Sequence, residues 1–440
     1  MPLVYVAIGV VLLLVLIIAF KLDAFISLIL VSLVIGLISG LTPMDAFEAV
    51  QTGMGDQLGG LALVIGFGSM IGKLMADSGA AQRIATTLTQ KFGTKNVHIA
   101  MMITAFLIGI TLFFDVAFIL LVPIVFTISA KTGVSLLKIG LPMAVALSTT
   151  HSFLPPHPGP TAVAGIYEAS IGQVLVLGII IAIPSIFVAG YLFPKASFIK
   201  KMNPTLPEGL YNPKEFTDEE MPGIAISIIT PLIPVILMAT LGVAELTMDQ
   251  NTALFGFLSF IGEPAIALLL SVILAIYTFG IRCGRKMTDI GKSISSSLKA
   301  IAVILLLTGA GGSFKEVLIQ SGVTEYIEQA MAGWTISPLI LAWIIAAVLR
   351  IAVGSATVAV MTASGIVLPL LGMNGATPAL MVLATTSGSV AFSHVNDTGF
   401  WLYKEYFNLS VKDAIISRTT YTTILAVCGL IGVLILNLFV

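Results

Sequence analysis

Charge is what this chain has least of. Only 10% of its 440 residues are Asp, Glu, Lys or Arg, against about 25% in soluble domains. A water-covered surface of ordinary size cannot be built from so few. Cysteine is nearly missing too: Cys283 and Cys428 stand far apart in apolar surroundings. That excludes a disulfide framework and a thiolate metal site, and leaves both as packing residues. A net charge of −1 gives no electrostatic basis for a nucleic-acid partner. No basic start and no A-x-A site accompany the apolar run 2–20, so it reads as a first span and not as a cleavable signal. What the chain has in quantity is hydrophobic residues, 58% of the total. It reads as an all-α polytopic membrane protein.

A span needs about 20 apolar residues. The first half offers 2–20, 24–41 and 57–76, then a long block, 97–130, interrupted at Phe113, Phe114 and Asp115. A broken segment, 137–168, and a span, 171–193, follow. Residues 194–222 are a Pro-rich, charged linker. The second half repeats the order: spans 224–243, 264–282 and 298–318, a block 338–371 interrupted at Gly354 and Ser355, a broken segment 377–408, and a last span 416–438. Residues correspond as well. Gly66, Gly68, Ser78, Gly79 and Ile84 are matched at a constant offset by Gly309, Gly311, Ser321, Gly322 and Ile327, and Gly159 and Ser170 by Gly399 and Ser410. The expected organisation is a first repeat, 1–193, a cytoplasmic linker, 194–222, and a second repeat, 223–440.

Charge placement tests this. If each interrupted block is a re-entrant hairpin, each half has about five spanning helices, an odd number, and the second repeat is inverted relative to the first. With the N-terminus outside, every Lys and Arg except Lys315 and Arg350 falls on the cytoplasmic side. The outer segments 42–56 and 244–263 carry acids and no Lys or Arg. The positive-inside rule is obeyed. Inverted repeats, hairpins and discontinuous helices together point to a secondary transporter.

The breaks hold the residues with chemistry. H-S-F-L-P-P-H-P-G-P at 151–160 cannot continue a helix, because each proline lacks an N–H and restricts its predecessor. Backbone broken at membrane depth is tolerated only where it is enclosed or lines a cavity. This break carries His151 and His157 beside Thr150, and S-H-V-N-D-T-G-F-W at 393–401 carries Ser393, His394, Asn396 and Asp397. Hydroxyls, imidazoles and an amide suit a polyhydroxylated ligand. The hairpin tips add Asp115 and, in L-R-I-A-V-G-S-A-T-V-A, Arg350, Gly354, Ser355 and Thr357. A carboxylate among apolar groups can exchange a proton near neutral pH, which makes Asp115 the proton-coupling candidate. Gly354 permits a turn, and hydroxyls at a helix start attract an anion. Arg350 is either a further anion donor or a tie to an acid such as Asp115. No metal-ligand spacing is present. The glycines of G-F-G-S-M-I-G at 66–72 lie within a span and suit close helix packing, not a phosphate loop, and no cofactor motif is seen. Tyr403, Lys404, Glu405 and Tyr406 are expected at the inner membrane interface.

At these residues the sequence resembles a known family. H-S-F-L-P-P-H-P-G-P, G-S-A-T-V-A at 354–359, S-H-V-N-D-x-G-F-W and M-A-D-S-G-A-A-Q-R-I at 75–84 are similar to the gluconate permease family of the ion transporter superfamily. The likeness runs the length of the chain. It implies a proton-coupled symporter for gluconate or a related sugar acid, in the bacterial cytoplasmic membrane. It also implies a scaffold domain, a moving transport domain and a homodimer. Asp115 stands where the family often has Glu, and Thr398 where Pro is frequent. The family's other carriers take ketogluconate, idonate, fructuronate, glycerate and D-serine. Two further readings stay open. One is a symporter for D-serine or another small carboxylate, with sodium as an alternative coupling ion, since broken-helix carbonyls can bind Na⁺. The other is an intramembrane enzyme with His394 as base and Asp397 as its orienter, although no nucleophile motif accompanies them.

Overall fold

The computed structural model describes residues 5, 8–9, 11–13, 15–202, 204–205, 216–322, 336–372, 376–395 and 397–440, with the backbone alone at 18, 60, 131 and 246. Every element among them is helical. Part of the expected first span, together with Lys214, Ile327 and Asn396, lies outside the described residues.

α1, Ala24–Ile38, starts beneath Asp23, whose carboxylate accepts from the N–H groups of Phe25 and Ile26. α2 runs Pro43–Asp77, 35 residues. It begins at a reciprocal cap: Thr42 Oγ1 accepts from the Asp45 N–H at 3.2 Å and donates to the Asp45 carboxylate at 2.7 Å. Pro43 takes the first helical position, where no intrahelical N–H is needed. The outer segment 42–56 is therefore helix from Pro43 on, because this cap starts it well before the apolar run. α3 is Ala80–Phe92 and α4 is Val97–Gly109. After a break at 110–113, α5 is Phe114–Thr132. α6, Leu136–Phe153, and α7, Pro158–Ile166, flank the proline break, where Pro155–Pro156 is cis. α8, Ile171–Ile186, continues in tighter and wider turns to Lys195, and a short α9, Ser197–Lys200, follows. The described part of the linker is tied down by Arg83, which donates to the Pro222 carbonyl and pairs with Asp218 at 2.9 Å.

The second half is helical as well. α10 is Ile224–Thr247, α11 Ala253–Gly262, α12 Pro264–Ala275 and α13 Met287–Gln320. The outer segment 244–263 is thus largely helical as well. α14, Pro338–Val353, and α15, Ala356–Val367, meet at Gly354, which has φ +84. α16, Pro378–Gly388, and α17, Thr398–Tyr406, flank the other break. α18, Val411–Ala414, leads through a π turn, Ile415–Thr419, into α19, Thr420–Leu436.

Matched residues in the two halves hold matched places. α2 and α13 have 35 and 34 residues, and each ends on Ser then Gly. Ser78 and Ser321 are the C-caps, and Gly79 and Gly322 follow with φ +75 and +67. Ser170 and Ser410 both cap a helix by accepting a backbone N–H, from Gln173 and Asp413. Gly159 and Gly399 are each the second residue of the half-helix after a break.

α2 and α13 cross backbone to backbone: a Cβ on Gly53 would lie 2.3 Å from the Gly312 carbonyl oxygen, and the reverse is also 2.3 Å. In the 66–72 glycine run only Gly72 is so confined, against the Thr111 carbonyl and Leu112, whereas Gly66 and Gly68 have only ordinary contacts.

Among the described residues, five helices are long and apolar enough to cross a membrane, and two bent pairs also suffice, each taken together. α14, with 16 residues, reaches only about 24 Å, short of a hydrocarbon core of roughly 30 Å. It packs on α15 through Ala346, Leu349, Ala359 and Ala363. Four small or branched side chains let the two half-helices lie close. α6 is enclosed along nearly its whole length, which puts the first proline break inside the molecule.

Candidate functional site

The helix breaks converge on one cavity of about 420 Å³. Its wall takes residues from the start of α5, the end of α6, the middle of α13, the tip between α14 and α15, the start of α17 and the start of α19.

Asp397 organises the charged side. It is the N-cap of α17, and its Oδ1 accepts from the Gly399 N–H at 2.9 Å. Its Oδ2 accepts from Arg350 Nη2 at 2.6 Å, from Arg418 Nη2 at 3.4 Å, and from the Ser393 hydroxyl. Arg418 Nε donates to Ser393 Oγ at 2.9 Å, and its Nη1 donates to Tyr421 Oη at 2.8 Å. Tyr421 in turn bonds Ser148 at 3.3 Å. Arg350 and Arg418 are each only 4% exposed. Buried charges must be paired, and a single carboxylate between two guanidiniums meets that need only in part. Arg350 shows the shortfall: Nε and Nη1 are buried with no hydrogen-bond partner. Gly399 leaves room for this cluster, since a Cβ there would stand 2.5 Å from Arg418 Nη2.

The tip supplies more donors. Ser355 is the N-cap of α15, and its Oγ accepts from the Val358 N–H at 3.3 Å. The N–H groups of Ala356 and Thr357, in the same first turn, have no intrahelical acceptor. Both residues line the cavity with Gly354 and Ser355.

Of the residues expected from sequence, the structure gathers Asp115, His151, Arg350, Gly354, Ser355, Thr357, Ser393 and Asp397 on this wall. Asn396 lies outside the described residues. The others are elsewhere, for local reasons. Thr150 Oγ1 donates to the Ala146 and Leu147 carbonyls of its own helix, with Gly109 packed on it. His157 is 1% exposed, and its Nε2 faces the Gly109 carbonyl at the end of α4. A carbonyl only accepts, so Nε2 carries the proton and the ring ties the proline break to the first tip. His394 is half-buried, with Nε2 at 3.1 Å from the Ile351 carbonyl. That geometry does not present its ring as a base beside Asp397. Asp115 was expected among apolar groups. It is exposed, in the first turn of α5, and among the described residues it has no hydrogen bond or ion pair. The break at 110–113 stops α4 short and sets that first turn on the cavity wall. Arg350 is paired with Asp397 and not with Asp115.

Arg418 was placed on the cytoplasmic side, and the structure buries it in the site. Its signal was present in the polar run S-R-T-T-Y-T-T at 417–423, inside an otherwise apolar stretch. It sits on a π turn, a form frequent at functional sites, with its guanidinium 4.8 Å from the Phe114 ring. Ser152 and Thr422 also line the cavity. Tyr403, expected at the membrane interface, is fully buried among Phe118, Phe407 and Tyr421.

Comparison with known proteins gives the family. The family model described as GntP family permease matches residues 1–439. The chain belongs to that family. It is therefore a permease and not an enzyme, a multi-pass bacterial membrane protein. It is 51% identical over 440 residues to the high-affinity gluconate transporter of Escherichia coli (strain K12), covering 100% of both chains. It is 50% identical to the Gnt-II system L-idonate transporter of the same organism, covering 99% of each. Among solved structures, the Alcanivorax borkumensis YdaH transporter aligns with a TM-score of 0.67 over 94% of this chain and 98% of that one. At 16% identity it shares the fold alone.

Proposed function

We propose that this permease is a proton-coupled symporter that takes up gluconate or a closely related sugar acid. Arg350 carries the reading: a buried guanidinium on the cavity wall that spends one nitrogen on Asp397 and has two others unpaired. A planar anion such as a carboxylate fits that need. The open N–H groups of Ala356 and Thr357 offer further donors, and Ser148, His151, Ser152, Ser393 and Thr422 offer partners for a polyol tail. Relatives at 51% and 50% identity are named for gluconate and L-idonate, each a carboxylate on a polyhydroxylated chain.

Charge balance supports coupling to a proton. Arg350 and Arg418 face Asp397 and Asp115 around one cavity, so the empty site is neutral with both acids ionised. A substrate carboxylate would bring an uncompensated negative charge into a partly dry space, which is costly. One proton arriving with it removes the excess. Asp115, with no pairing among the described residues, is the group free to take that proton.

The same reading makes residues 1–193 and 223–440 two inverted repeats joined by a cytoplasmic linker. The 110–113 and 354–355 tips are then re-entrant hairpins facing each other near mid-membrane. The matched Ser-Gly helix ends and the shortness of α14 support it.

The test is uptake by proteoliposomes. An inward proton gradient should drive accumulation of labelled gluconate with or without sodium. Accumulation that follows a sodium gradient at fixed pH, or no accumulation under either gradient, would overturn the proposal.

A further inference from the structure

A second cavity, of about 460 Å³, lies at the end of the span Ile171–Lys195, between that end, the start of α6 and α9. Its rim is cationic. Lys138, Lys195 and Lys200 are exposed there, and among the described residues no acid lines the cavity and none of the three makes an ion pair. Its interior is apolar, with Leu137 and Ile199 buried. Tyr191 forms one side: Lys195 Nζ stands 3.4 Å from its ring centroid, and the rings of His98 and Phe187 stack on it at 5.9 and 5.3 Å. His98 Nδ1 is buried without a partner. Just outside, Phe187, Leu192 and Phe198 are 49%, 45% and 46% exposed, so the apolar surface continues outward where acyl chains would lie.

We propose that this cavity binds an anionic phospholipid. Its phosphate rests on Lys138, Lys195 and Lys200, and an acyl chain enters over Leu137 and Ile199. Basic pockets between helices at a membrane surface hold such headgroups, and lysines bury their stems while keeping their charges at the rim. A free phosphate ion would satisfy the lysines and leave the apolar interior wet. A zwitterionic lipid would bring an amine among three cations, where among the described lining residues no acid receives it. The site stands apart from the sugar-acid cavity and does not depend on the substrate assigned there.

The experiment uses the full-length protein, purified and stripped of lipid, with thermal unfolding followed as phosphatidylglycerol or phosphatidylcholine of matched chains is added. Wild type should gain stability from phosphatidylglycerol and much less from phosphatidylcholine. Each of K138Q, K195Q and K200Q should raise the half-saturating phosphatidylglycerol concentration about fivefold. Substitution of Lys91 and Lys412, exposed elsewhere, should leave it unchanged. Native mass spectrometry of wild type alone should retain phosphatidylglycerol in preference to phosphatidylcholine, which tests the site even if a variant fails to fold. Equal retention of the two lipids, or variants that respond like wild type, overturns the proposal. So does inorganic phosphate or glycerol phosphate stabilising the protein as well as the lipid does, because the ligand would then be a soluble anion.

Discussion

Arg350 and Asp397 meet at 2.6 Å, joining the end of one half-helix to the start of another. Arg350 closes α14 just before the tip, and Asp397 opens α17 just after a break. The contact therefore holds two interrupted helices in register at the point where the backbone has least support of its own. It also leaves the site short of one acceptor, since Arg350 keeps two unpaired nitrogens.

Removing the carboxylate should be severe. Asp397→Asn keeps the size and the helix cap but takes from Arg350 and Arg418 the one carboxylate that pairs with them among the described residues. Breaking a buried pair in this way costs about 3–5 kcal/mol. The expected outcome is a clear fall in the unfolding temperature of the purified protein together with loss of uptake. A variant as stable as wild type would mean that water or another acid already compensates the two arginines.

Asp115→Asn should behave differently. Among the described residues its carboxylate makes no hydrogen bond or ion pair, and the amide has nearly the same size, so no pairing or packing is lost and the purified variant should unfold close to wild type. Proton-driven accumulation should disappear, because the amide does not titrate. Counterflow exchange, which moves no net proton, should survive better. Wild-type accumulation with the usual pH dependence would take Asp115 out of the coupling mechanism.

The glycines divide into those that matter for packing and those that do not. Gly312→Ala would place a Cβ 2.3 Å from the Gly53 carbonyl oxygen and force α2 and α13 apart. Overpacking of this kind costs about 1–3 kcal/mol. Gly66→Ala meets nothing closer than 3.7 Å and should be neutral or slightly stabilising, since Ala favours helix. Thermal unfolding of the two variants side by side checks this; equal losses would put the crossing elsewhere.

Much of this was legible in the sequence, for reasons that act locally. Proline and glycine restrict their own neighbours, so the breaks at 154–157 and 354–355 could be placed from the residues alone. The Ser-Gly pairs at 78–79 and 321–322 likewise mark helix ends by their own backbone preference. The length of α2 was not legible from hydropathy, because a polar cap at Thr42 extends the helix past its apolar run. Arg418 was missed for a different reason. An arginine beside a span's end looks the same whether it meets lipid headgroups or a buried acid, and only the fold brings Asp397 to within 3.4 Å of it. Thr150 and His157 show the converse. A polar residue beside a break can be consumed by the break itself, as when His157 answers the Gly109 carbonyl.

The carboxylate site gives the sharpest test, because its two candidate donors fail differently. Ser355 caps α15, and losing a cap costs about 1 kcal/mol, which loosens the tip for any ligand. Ser355→Ala should therefore weaken gluconate and its neutral analogue gluconamide by similar factors. Arg350 is different, because its free nitrogens point to charge. Arg350→Lys keeps a cation for Asp397 but removes the planar fork that holds a carboxylate with two hydrogen bonds. A hydrogen bond to a charged group contributes about 1.5–3 kcal/mol. Gluconate affinity should then fall roughly 10- to 150-fold, while gluconamide, weak from the start, should lose little more. Binding of both ligands to wild type and the two variants separates the roles. If Arg350→Lys weakens acid and amide alike while Ser355→Ala selects against the acid, the anion is read by the tip and Arg350 is a tie between helices.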